Sequence, residues 1–475
     1  MNTENIILGA LDELYAELTD ILYGTEAKWK TLDELIEAVE SAVTGFVRTL
    51  VEQYIGEVQE LFFQGGKKLR PNLKVKERHR RKSVLTKIGL LELPQDLYTD
   101  RETGKTAAPV LQKLGIKPHQ KVTDAVIGSC LEAVTGLTYA KVAELVTEGE
   151  LTRQTISNYV KNSTDTALFE VPVQKRQVKI LNVYMDEDHI ALQHAGRKKH
   201  AIVPFAVVAE GVQKENEGCE LGRNRLINPR YFVSRDLRAK SVAVETAGYI
   251  AAEYDLKFVE HIYVHGDAGS WIRKALEDEI GAEHVLDGFH LTREITRFAR
   301  RFPQDCRTIL RTLKAALKND DFAAFDAEAA AREASAPDES CKKKCRAFRT
   351  FFKNNWKPAV LRQDKTIIGS CTESQVQHLC SCRISSVPMS WSLRGVGSLM
   401  MLRAAQANGV NIARPKKEEQ QTGGYARLLE EERRSGIGGK HDWSIFEHEH
   451  MTPNQDSGTQ HLLKLIGQGG FRPCA

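Results

Sequence analysis

Three acids and a histidine interrupt a stretch that otherwise alternates like a β-strand. The stretch YMDEDHIALQ, residues 184–193, carries Asp186, Glu187 and Asp188 where valine or isoleucine would be expected. Acids in the middle of a sheet are costly unless they are paired, lie at an exposed edge or bind a metal. Strand alternation places Asp186 and Asp188 on the same face. Taken alone, the stretch is typical of an exposed hairpin end.

Two further acids lie where α/β proteins place their chemistry. Asp267 ends the apolar strand IYVHG, before a helix predicted from about Trp271. The carboxyl end of a strand is where open α/β sheets bind ligands, although a helix N-cap is the alternative for this aspartate. Glu373 falls in the first turn of a helix that Ser370 or Thr372 would begin, and alone it is only a helix-start acid.

Taken together, these acids have a more specific meaning. An Asp on a first strand, an Asp at the end of a later strand and a Glu on a helix form the ligand set that two Mg²⁺ ions need for in-line phosphoryl transfer. Carboxylate oxygens are hard ligands that suit Mg²⁺ or Mn²⁺, and few are needed because substrate phosphates complete the shell. Asp186, Asp267 and Glu373 are therefore a candidate two-metal site.

The elements that must position these acids alternate between strands and helices. From 176 to 302 the pattern is three strands joined by short turns, followed by alternating helices and strands, which predicts an α/β fold with a mixed sheet. Residues 303–365 have only helical patterns and predict a helical insertion. Residues 366–410 would complete the core, and 411–475 predict a partly ordered polar tail.

The N-terminal part reverses its charge sharply. Residues 1–64 have apolar positions at helical spacing and 13 Asp and Glu against 3 Lys and Arg, which predicts an acidic helical leader that could self-associate. Residues 65–82 carry 9 basic residues and 1 acid, the electrostatic footprint of a phosphate-binding segment or, alternatively, a solvated stretch. Pro94 and Pro109 then predict short strands or loops. The basic residues expected to grip DNA phosphates are Lys74, Lys76, Arg80 and Arg81.

A helix-turn-helix pattern lies at 139–161, within a basic DNA-binding region predicted for 65–175. Two short helices are separated at Gly149, and Thr152 can cap the second one. A helical hairpin in an ordinary bundle is the alternative. If the pattern binds DNA, its second helix presents four polar side chains to a major groove: Arg153, Gln154, Ser157 and Asn158.

Composition limits the class of protein. Hydrophobic residues are 41% and charged residues 27% of the chain, and no apolar run approaches the roughly 20 residues of a membrane span. Since the N-terminus lacks a signal-peptide pattern, we expect a cytoplasmic bacterial protein that associates with the nucleoid when it binds DNA. The nine cysteines are expected to be reduced thiols. The C-x3-C of Cys341 and Cys345 and the C-x-C of Cys380 and Cys382 differ from the C-x2-C of zinc knuckles.

The motifs as a set resemble a known family, the bacterial insertion-sequence transposases of the ISLre family, which are related to Mutator-type transposases. The resemblance rests on MDEDHIALQ, on YVHGDAGSWI followed by VLDGFHL, on TRQTISNYV, and on TESQVQHL with RISSVPMSW. It covers roughly residues 75–400. The chain departs from the expected pattern at 65–105 and in its polar tail, so the resemblance says least about DNA recognition.

The resemblance implies a ribonuclease-H-like catalytic domain with an Asp-Asp-Glu triad. Three acids match the triad: Asp186, Asp267 and Glu373. Asp188 stays a candidate metal ligand beside them. Asp287 and His290 match the Asp-x-x-His signature of Mutator-like transposases, which implies that His290 lies near the DNA or the scissile phosphate, or else packs the following helix.

The implied activity is Mg²⁺-dependent cleavage of the ends of a mobile element and their joining to target DNA. The implied partners are the terminal repeats, the target DNA and further copies of the chain in the active complex. A structure-specific nuclease of the same fold is one alternative. A domesticated DNA-binding protein without catalysis is another, and the intact acids argue against it.

Overall fold

A computed structural model describes residues 3–25, 30–163, 172, 174–193, 199–215, 224–267, 269, 281–364, 367 and 371–412. The chain divides into two compact units. The first comprises Met1–Ala133 and Thr138–Ile156, and the second comprises Val134–Leu137 and Ser157–Ile412. Among the described helices, none combines the length and the apolar composition that crossing a bilayer requires.

The first unit contains a long helical hairpin and a small antiparallel sheet. Its helices are α1 (Thr3–Tyr23), α2 (Leu32–Gln64), α3 (Gly66–Leu69), α4 (Pro109–Lys113), α5 (Asp124–Ala133) and α6 (Tyr139–Thr147), and its strands are β1 (Leu73–Thr86), β2 (Gly89–Asp100) and β3 (Thr106–Ala107). Thr31 begins α2 with a capping box, because its hydroxyl accepts from the Glu34 N–H while the Glu34 carboxylate accepts from the Thr31 N–H. Helix α2 shares one core with β1, β2 and α4, formed by Ile55, Val84, Leu91, Leu93 and Leu111.

A long ribbon of β1 and β2 replaces the short strands or loops that the sequence predicts, so that prediction is wrong here. Pro94 lies inside β2 without breaking it. On the edge of β2 away from β1, β3 pairs only with Tyr98 and Thr99. Within the described chain, no strand pairs with β2 on this edge at Pro94. The proline is therefore tolerated, because no backbone N–H is needed there for a strand hydrogen bond. The Pro94 carbonyl accepts a hydrogen bond from Gln59 Nε2 at 3.1 Å, which ties the ribbon to α2.

The second unit is a mixed sheet with helices, as the sequence predicts. Its strands are β4 (Ile180–Leu192), β5 (His200–Ala209), β6 (Gly211–Lys214), β7 (Asn224–Ile227), β8 (Arg230–Val233), β9 (His261–Gly266), β10 (Glu283–Leu286) and β11 (Ser390–Trp391). The main order is β10-β9-β4-β5-β8, with β11 also paired to β4. β4, β9 and β10 run parallel, whereas β5 is antiparallel to both β4 and β8. β6 and β7 form a separate hairpin.

The helices of the second unit include a module between the later strands and Glu373. Helix α7 (Arg153–Asn162) begins in the first unit and continues into the second, which also contains α8 (Ala239–Glu253), α9 (Gly288–Ala299), α10 (Cys306–Lys318), α11 (Phe322–Ala334), α12 (Glu339–Leu361), α13 (Thr372–Val376), a π-helical turn (Gln377–Ser381), α14 (Cys382–Ile384) and α15 (Leu393–Ala407). In the described span 303–364 every element is a helix. The helix expected from Trp271 and nearly all of the polar tail lie outside the described residues.

Candidate active site

The first two acids of the candidate site lie side by side at the carboxyl edge of the sheet. Tyr184 on β4 is the parallel partner of His265 on β9, and their rings stack at 4.8 Å. Asp186 and Asp267 each follow two residues later, so alternation places both on the face of that ring pair. Both rings beneath them are fully buried. Burial lowers the pKa of His265 to about 3, and its Nε2 contacts Asn182 Oδ1 at 2.9 Å.

A third aspartate closes the same edge. Leu286 ends β10 opposite Gly266, and the Asp287 N–H then donates to the Gly266 carbonyl at 2.8 Å. The fully buried Asp287 carboxylate accepts from the N–H groups of Phe289 and His290 and so caps α9. Because the caps fix the first turn of α9, Asp287 sets the position of His290 as well as adding a carboxylate to the site.

Glu373 and His290 meet across the opening of this edge. His290 Nε2 lies 3.6 Å from Glu373 Oε1, and His290 Nδ1 lies 2.8 Å from Arg293 Nη2. A guanidinium can only donate, so Nδ1 must accept and the proton of the neutral imidazole is on Nε2, facing Glu373. The structure therefore brings the Asp-x-x-His signature and the third triad residue into contact range.

The pKa of Asp186 reflects the burial of this residue and the nearby acids. The residue is only 8% exposed, and burial raises the pKa of its carboxyl to about 7. The negative charges of Asp267, Glu373 and Asp287 contribute to this rise, whereas the hydrogen bond that the Glu187 N–H donates to Asp186 opposes it. The charges of three other carboxylates thus act on Asp186: Asp267 and Asp287, just after the ends of β9 and β10, and Glu373 on α13.

Asp188 has different partners from Asp186. Its Oδ2 accepts hydrogen bonds from Ser385 Oγ at 2.7 Å and from Ser381 Oγ at 3.1 Å. Ser381 ends the π-helical turn that follows the helix of Glu373. Asp188 therefore ties the segment after Glu373 to β4, a contact that the sequence does not reveal.

The acids suit a magnesium ion by chemistry. In the described part of the chain, no three His, Cys, Asp or Glu side chains form a ready-made metal cage. Mg²⁺ does not require one, since it is usually held by one or two carboxylates together with waters and substrate phosphates. A buried aspartate whose ionisation is opposed by three neighbouring carboxylates is the environment that a dication would neutralise. Asp186, Asp267 and Glu373 fit that role.

An open cleft of about 640 Å³ lies beside Glu373, and its lining includes Phe289, Thr292, Arg362 and Cys371. Arg362 Nε would lie 3.2 Å from a Cβ on Gly288, so a larger residue there would press on the guanidinium. Sequence reasoning missed Phe289 and Arg362 as site residues. Gly288 in the motif LDGFH is the only local signal that a bulky group approaches this turn.

The predicted groove-facing side chains of α7 separate into two groups. The helix begins as expected, with the Thr155 N–H donating to Thr152 Oγ1 at 3.3 Å. Before it, α6 ends in left-handed Glu148 followed by Gly149 with a φ of 82°. Three of the four named side chains are exposed: Arg153, Gln154 and Asn158. Ser157 is buried, so it cannot reach a groove from this conformation.

The four predicted phosphate-gripping residues lie on β1 and are all exposed: Lys74, Lys76, Arg80 and Arg81. Arg78, between them, is different. Its guanidinium pairs with Asp96 and Glu60 and covers the Phe63 ring at 3.7 Å, so it holds the sheet to α2. The part of the basic block from Leu73 onward is therefore an ordered strand on which the four predicted basic side chains are exposed to solvent.

A family model described as Uncharacterised protein family (UPF0236) matches residues 25–421. The chain belongs to the UPF0236 family. Several UPF0236 proteins of Caldanaerobacter subterraneus subsp. tengcongensis are similar to it over nearly their whole length. One is 24% identical over 438 residues, covering 91% of both chains, and its name joins eleven locus designations of that organism. Another is 25% identical over 410 residues, covering 86% of this chain and 85% of its own, and its name joins four loci.

Proposed function

We propose that this UPF0236 protein is a DNA transposase of the Asp-Asp-Glu type, which cleaves the ends of a mobile element and joins them to target DNA. One observation carries the proposal: Asp267 and Glu373, separated in sequence by 106 residues, both lie close enough to Asp186, 81 residues before Asp267, for their negative charges to raise its pKa. The names that join several loci of one genome are consistent with a gene that copies itself. In its motifs the chain resembles the insertion-sequence transposases of the ISLre family.

The sheet supports a ribonuclease-H-like catalytic domain as part of the proposal. The central strand β4 has an antiparallel neighbour, β5, on one side and the parallel strands β9 and β10 on the other. The helical module of residues 303–364 precedes the helix of Glu373, so the third acid comes to the sheet from a distant part of the chain. Such a fold delivers acids to the ends of neighbouring strands, which the proposed chemistry requires.

The proposed reaction uses the acids and the groups around them. Mg²⁺ held by Asp186, Asp267 and Glu373 would neutralise charge on the scissile phosphate and favour the attacking oxygen's anion. The chain itself positions Asp186 and Asp267 next to the buried Tyr184–His265 ring pair, and His290 directs its Nε2 at Glu373. Arg362 contributes a positive charge to the cleft in which a phosphate would lie. Cleavage uses water, and joining uses the freed 3′-hydroxyl.

DNA recognition is proposed to involve two surfaces of the chain. The α6–turn–α7 segment would act as a helix-turn-helix, with Arg153, Gln154 and Asn158 directed at base edges of the terminal repeats. The basic strand β1 would provide contacts to phosphates that are independent of sequence. The two kinds of contact predict different losses. Losing the base contacts of α7 should relax the sequence preference of DNA binding, and losing the phosphate contacts of β1 should reduce its salt dependence.

Self-association is proposed to use the acidic hairpin. On α1 the exposed apolar residues Leu8, Leu11, Tyr15 and Leu22 follow one another at spacings of three, four and seven. On α2, Ile36 and Val43 are seven apart, as are Tyr54 and Leu61. This is the spacing of a coiled-coil seam, and the surrounding acids disfavour DNA or an anionic membrane as its occupant. A second copy of the chain is the partner that this surface fits.

The test is an assay of purified full-length protein with element-end DNA, a target plasmid and Mg²⁺, with products mapped to the nucleotide. We expect 3′-end cleavage and joined products. Asp186→Asn, Asp267→Asn and Glu373→Gln should each abolish both while DNA binding persists, because each removes a metal ligand rather than a phosphate contact. Glu260→Gln, at the amino end of β9, is the matched control and should remain active. Cleavage without joining would favour a nuclease, and full activity of a triad variant would refute the proposal.

A further inference from the structure

Helix α9 begins at the candidate active site and runs away from it with one unusual face. Its inner side packs Leu291, Ile295 and Phe298 into the core of the helical module. Its outer side begins with Phe289, which lines the cleft that also contains Glu373 and Arg362. Core packing therefore explains the residues on the inner side of this helix but not those on its outer side.

Phe289 is exposed although it is a large aromatic residue. Its exposed fraction is 53%, and only one other phenylalanine in the described residues, Phe258, is counted among the exposed large hydrophobics. The Arg293 guanidinium lies 5.5 Å from the Phe289 ring centroid, and the His290 ring meets it edge-on at 5.6 Å. The Arg293 guanidinium thus lies against one face of the ring, while much of the ring remains exposed to solvent.

Arginines continue the same face of α9. At 100° per residue, positions 289, 293, 297 and 300 lie within about 80° of one another, and each step of four residues advances about 6 Å. Arg293, Arg297 and Arg300 are exposed. Glu294 neutralises part of this charge, with Arg297 Nη1 at 3.0 Å and Arg293 Nε at 3.9 Å. The row as a whole remains cationic and leads away from Glu373.

We propose that the outer face of α9 binds an unpaired DNA strand at the active site, an inference that rests on the proposed transposase function. One base stacks on Phe289, and the phosphates that follow lie along Arg293, Arg297 and Arg300. Arginines alone would attract any polyanion. The exposed ring adds selectivity, because an aromatic face can stack only on a base that has left the duplex, and every base offers such a face. The substrate at the moment of cleavage is then DNA whose end is locally unpaired.

The test measures strand binding without catalysis. Full-length Asp186→Asn protein, in buffer with EDTA, is titrated with a fluorescein-labelled 20-nucleotide single strand and with the corresponding duplex. Adding Phe289→Ala should weaken binding of the single strand about 5- to 150-fold, the effect of one lost base stack, and leave duplex binding unchanged. Phe289→Tyr should retain binding because its ring can still stack. Phe258→Ala, which removes an equally exposed ring elsewhere, is the control.

The arginine row has its own readout in the same titration. Replacing Arg293, Arg297 and Arg300 by Gln should reduce the salt slope for the single strand by about 2, at roughly 0.7 per phosphate contact. Unchanged single-strand affinity of Phe289→Ala, or an equal loss in Phe258→Ala, would overturn the proposal. The assay needs neither metal nor cleavage, so it separates the two proposals. If strand binding depends on Phe289 but the unmodified protein cuts no element end with Mg²⁺, the single-strand site is supported and the transposase function is rejected.

Discussion

At the scale of single residues, two aspartates on one face of β4 have separate roles. Asp186 is buried among carboxylates, and its pKa is raised to about 7. Asp188 accepts hydrogen bonds from Ser381 and Ser385. The difference arises from what each carboxylate faces: like charges in one case and hydroxyl donors in the other. Two predictions follow from that contrast.

The first prediction concerns pH and the stability of the metal-free protein. Burial raises the folded-state pKa of Asp186 from 3.8 to about 7, so between these values the unfolded chain has released the proton that the folded chain retains. Stability contributed by this group is therefore present at low pH and is lost as pH rises through about 7, at roughly 1.4 kcal/mol per pH unit. With EDTA, Asp186→Asn should be more stable than the unmodified protein at pH 8 and similar to it at pH 4.5.

Thermal unfolding at the two pH values measures this difference directly. Glu260→Gln is the control, since the pKa of this exposed acid is lowered by Lys179 rather than raised by burial. Mg²⁺ should raise the melting temperature of the unmodified protein at pH 8 and have a smaller effect on Asp186→Asn. An unmodified protein that gains stability over the variant as pH rises would contradict the assignment.

The second prediction treats Asp188 as a residue that positions Glu373. If its serine partners matter, Asp188→Asn and the double variant Ser381→Ala with Ser385→Ala should both reduce DNA cleavage about 10- to 100-fold, a usual cost of losing support behind a metal ligand. Rates of cleavage at saturating Mg²⁺ provide the comparison. A fully active serine variant beside an inactive Asp188→Asn would instead identify Asp188 as a metal ligand.

At the scale of elements, the site depends on parallel strands that end together and on a helix held from behind. β9 and β10 end one residue before Asp267 and Asp287, and Asp186 lies two residues beyond the last residue of β4 that pairs with β9. Asp287 then begins α9. The helical module supports the inner face of α9 through an aromatic stack, with the Phe298 and Phe348 rings 4.0 Å apart. The module therefore stabilises the helix that carries His290.

The third prediction removes that support. Phe348→Ala leaves a cavity between α9 and α12 and should lower the free energy of unfolding of the second unit by about 3–5 kcal/mol. Urea unfolding measures the loss, and hydrogen exchange should show faster exchange of α9 amides. The exposed Phe258, replaced by Ala, should change stability by less than about 0.5 kcal/mol. Equal unfolding curves for Phe348→Ala and the unmodified protein would show that the module does not support α9.

At the scale of the whole molecule, the candidate active site and the surface proposed for self-association lie in different units of the chain. The described site residues Asp186, Asp267, Asp287, His290 and Glu373 all belong to the second unit, whereas the acidic hairpin and the basic strand β1 belong to the first. The hairpin buries few of its own side chains deeply; on α2 only Ala42, Ile55 and Gln59 are buried. A hairpin with so small a core would gain stability if a partner covered the exposed apolar residues of α1 and α2.

The fourth prediction tests self-association through that stripe. Leu11→Glu combined with Tyr15→Glu puts two charges into the proposed seam and should convert an oligomer to a monomer of 53.3 kDa. Sedimentation velocity at micromolar concentration measures the mass. Glu13→Gln with Glu17→Gln, on the same helix but away from the seam, should leave the oligomer intact. An unmodified protein that is monomeric under these conditions would contradict self-association through α1.

Local patterns in the sequence were sufficient to predict several elements. The helical spacing of residues 1–64 and 303–364, the strand alternation before Asp267 and the cap at Thr152 depend on neighbours within a few residues, so they are legible in the sequence. The acids stood out for the same reason, because a charge in an apolar strand is a local anomaly. The β1–β2 ribbon was missed. A proline is tolerated in a strand only where its nitrogen faces an unpaired edge, and whether that edge of β2 is unpaired depends on which strands pair with β2.

Tertiary structure alone decided which acids meet and which do not. Asp186 and Asp188 are equivalent by alternation, and only the segment that carries Ser381 and Ser385, almost 200 residues away, distinguishes them. The burial of Ser157 was likewise not predicted from its own helix. These outcomes depend on pairing and packing between parts of the chain that are distant in sequence, and no local periodicity carries that information.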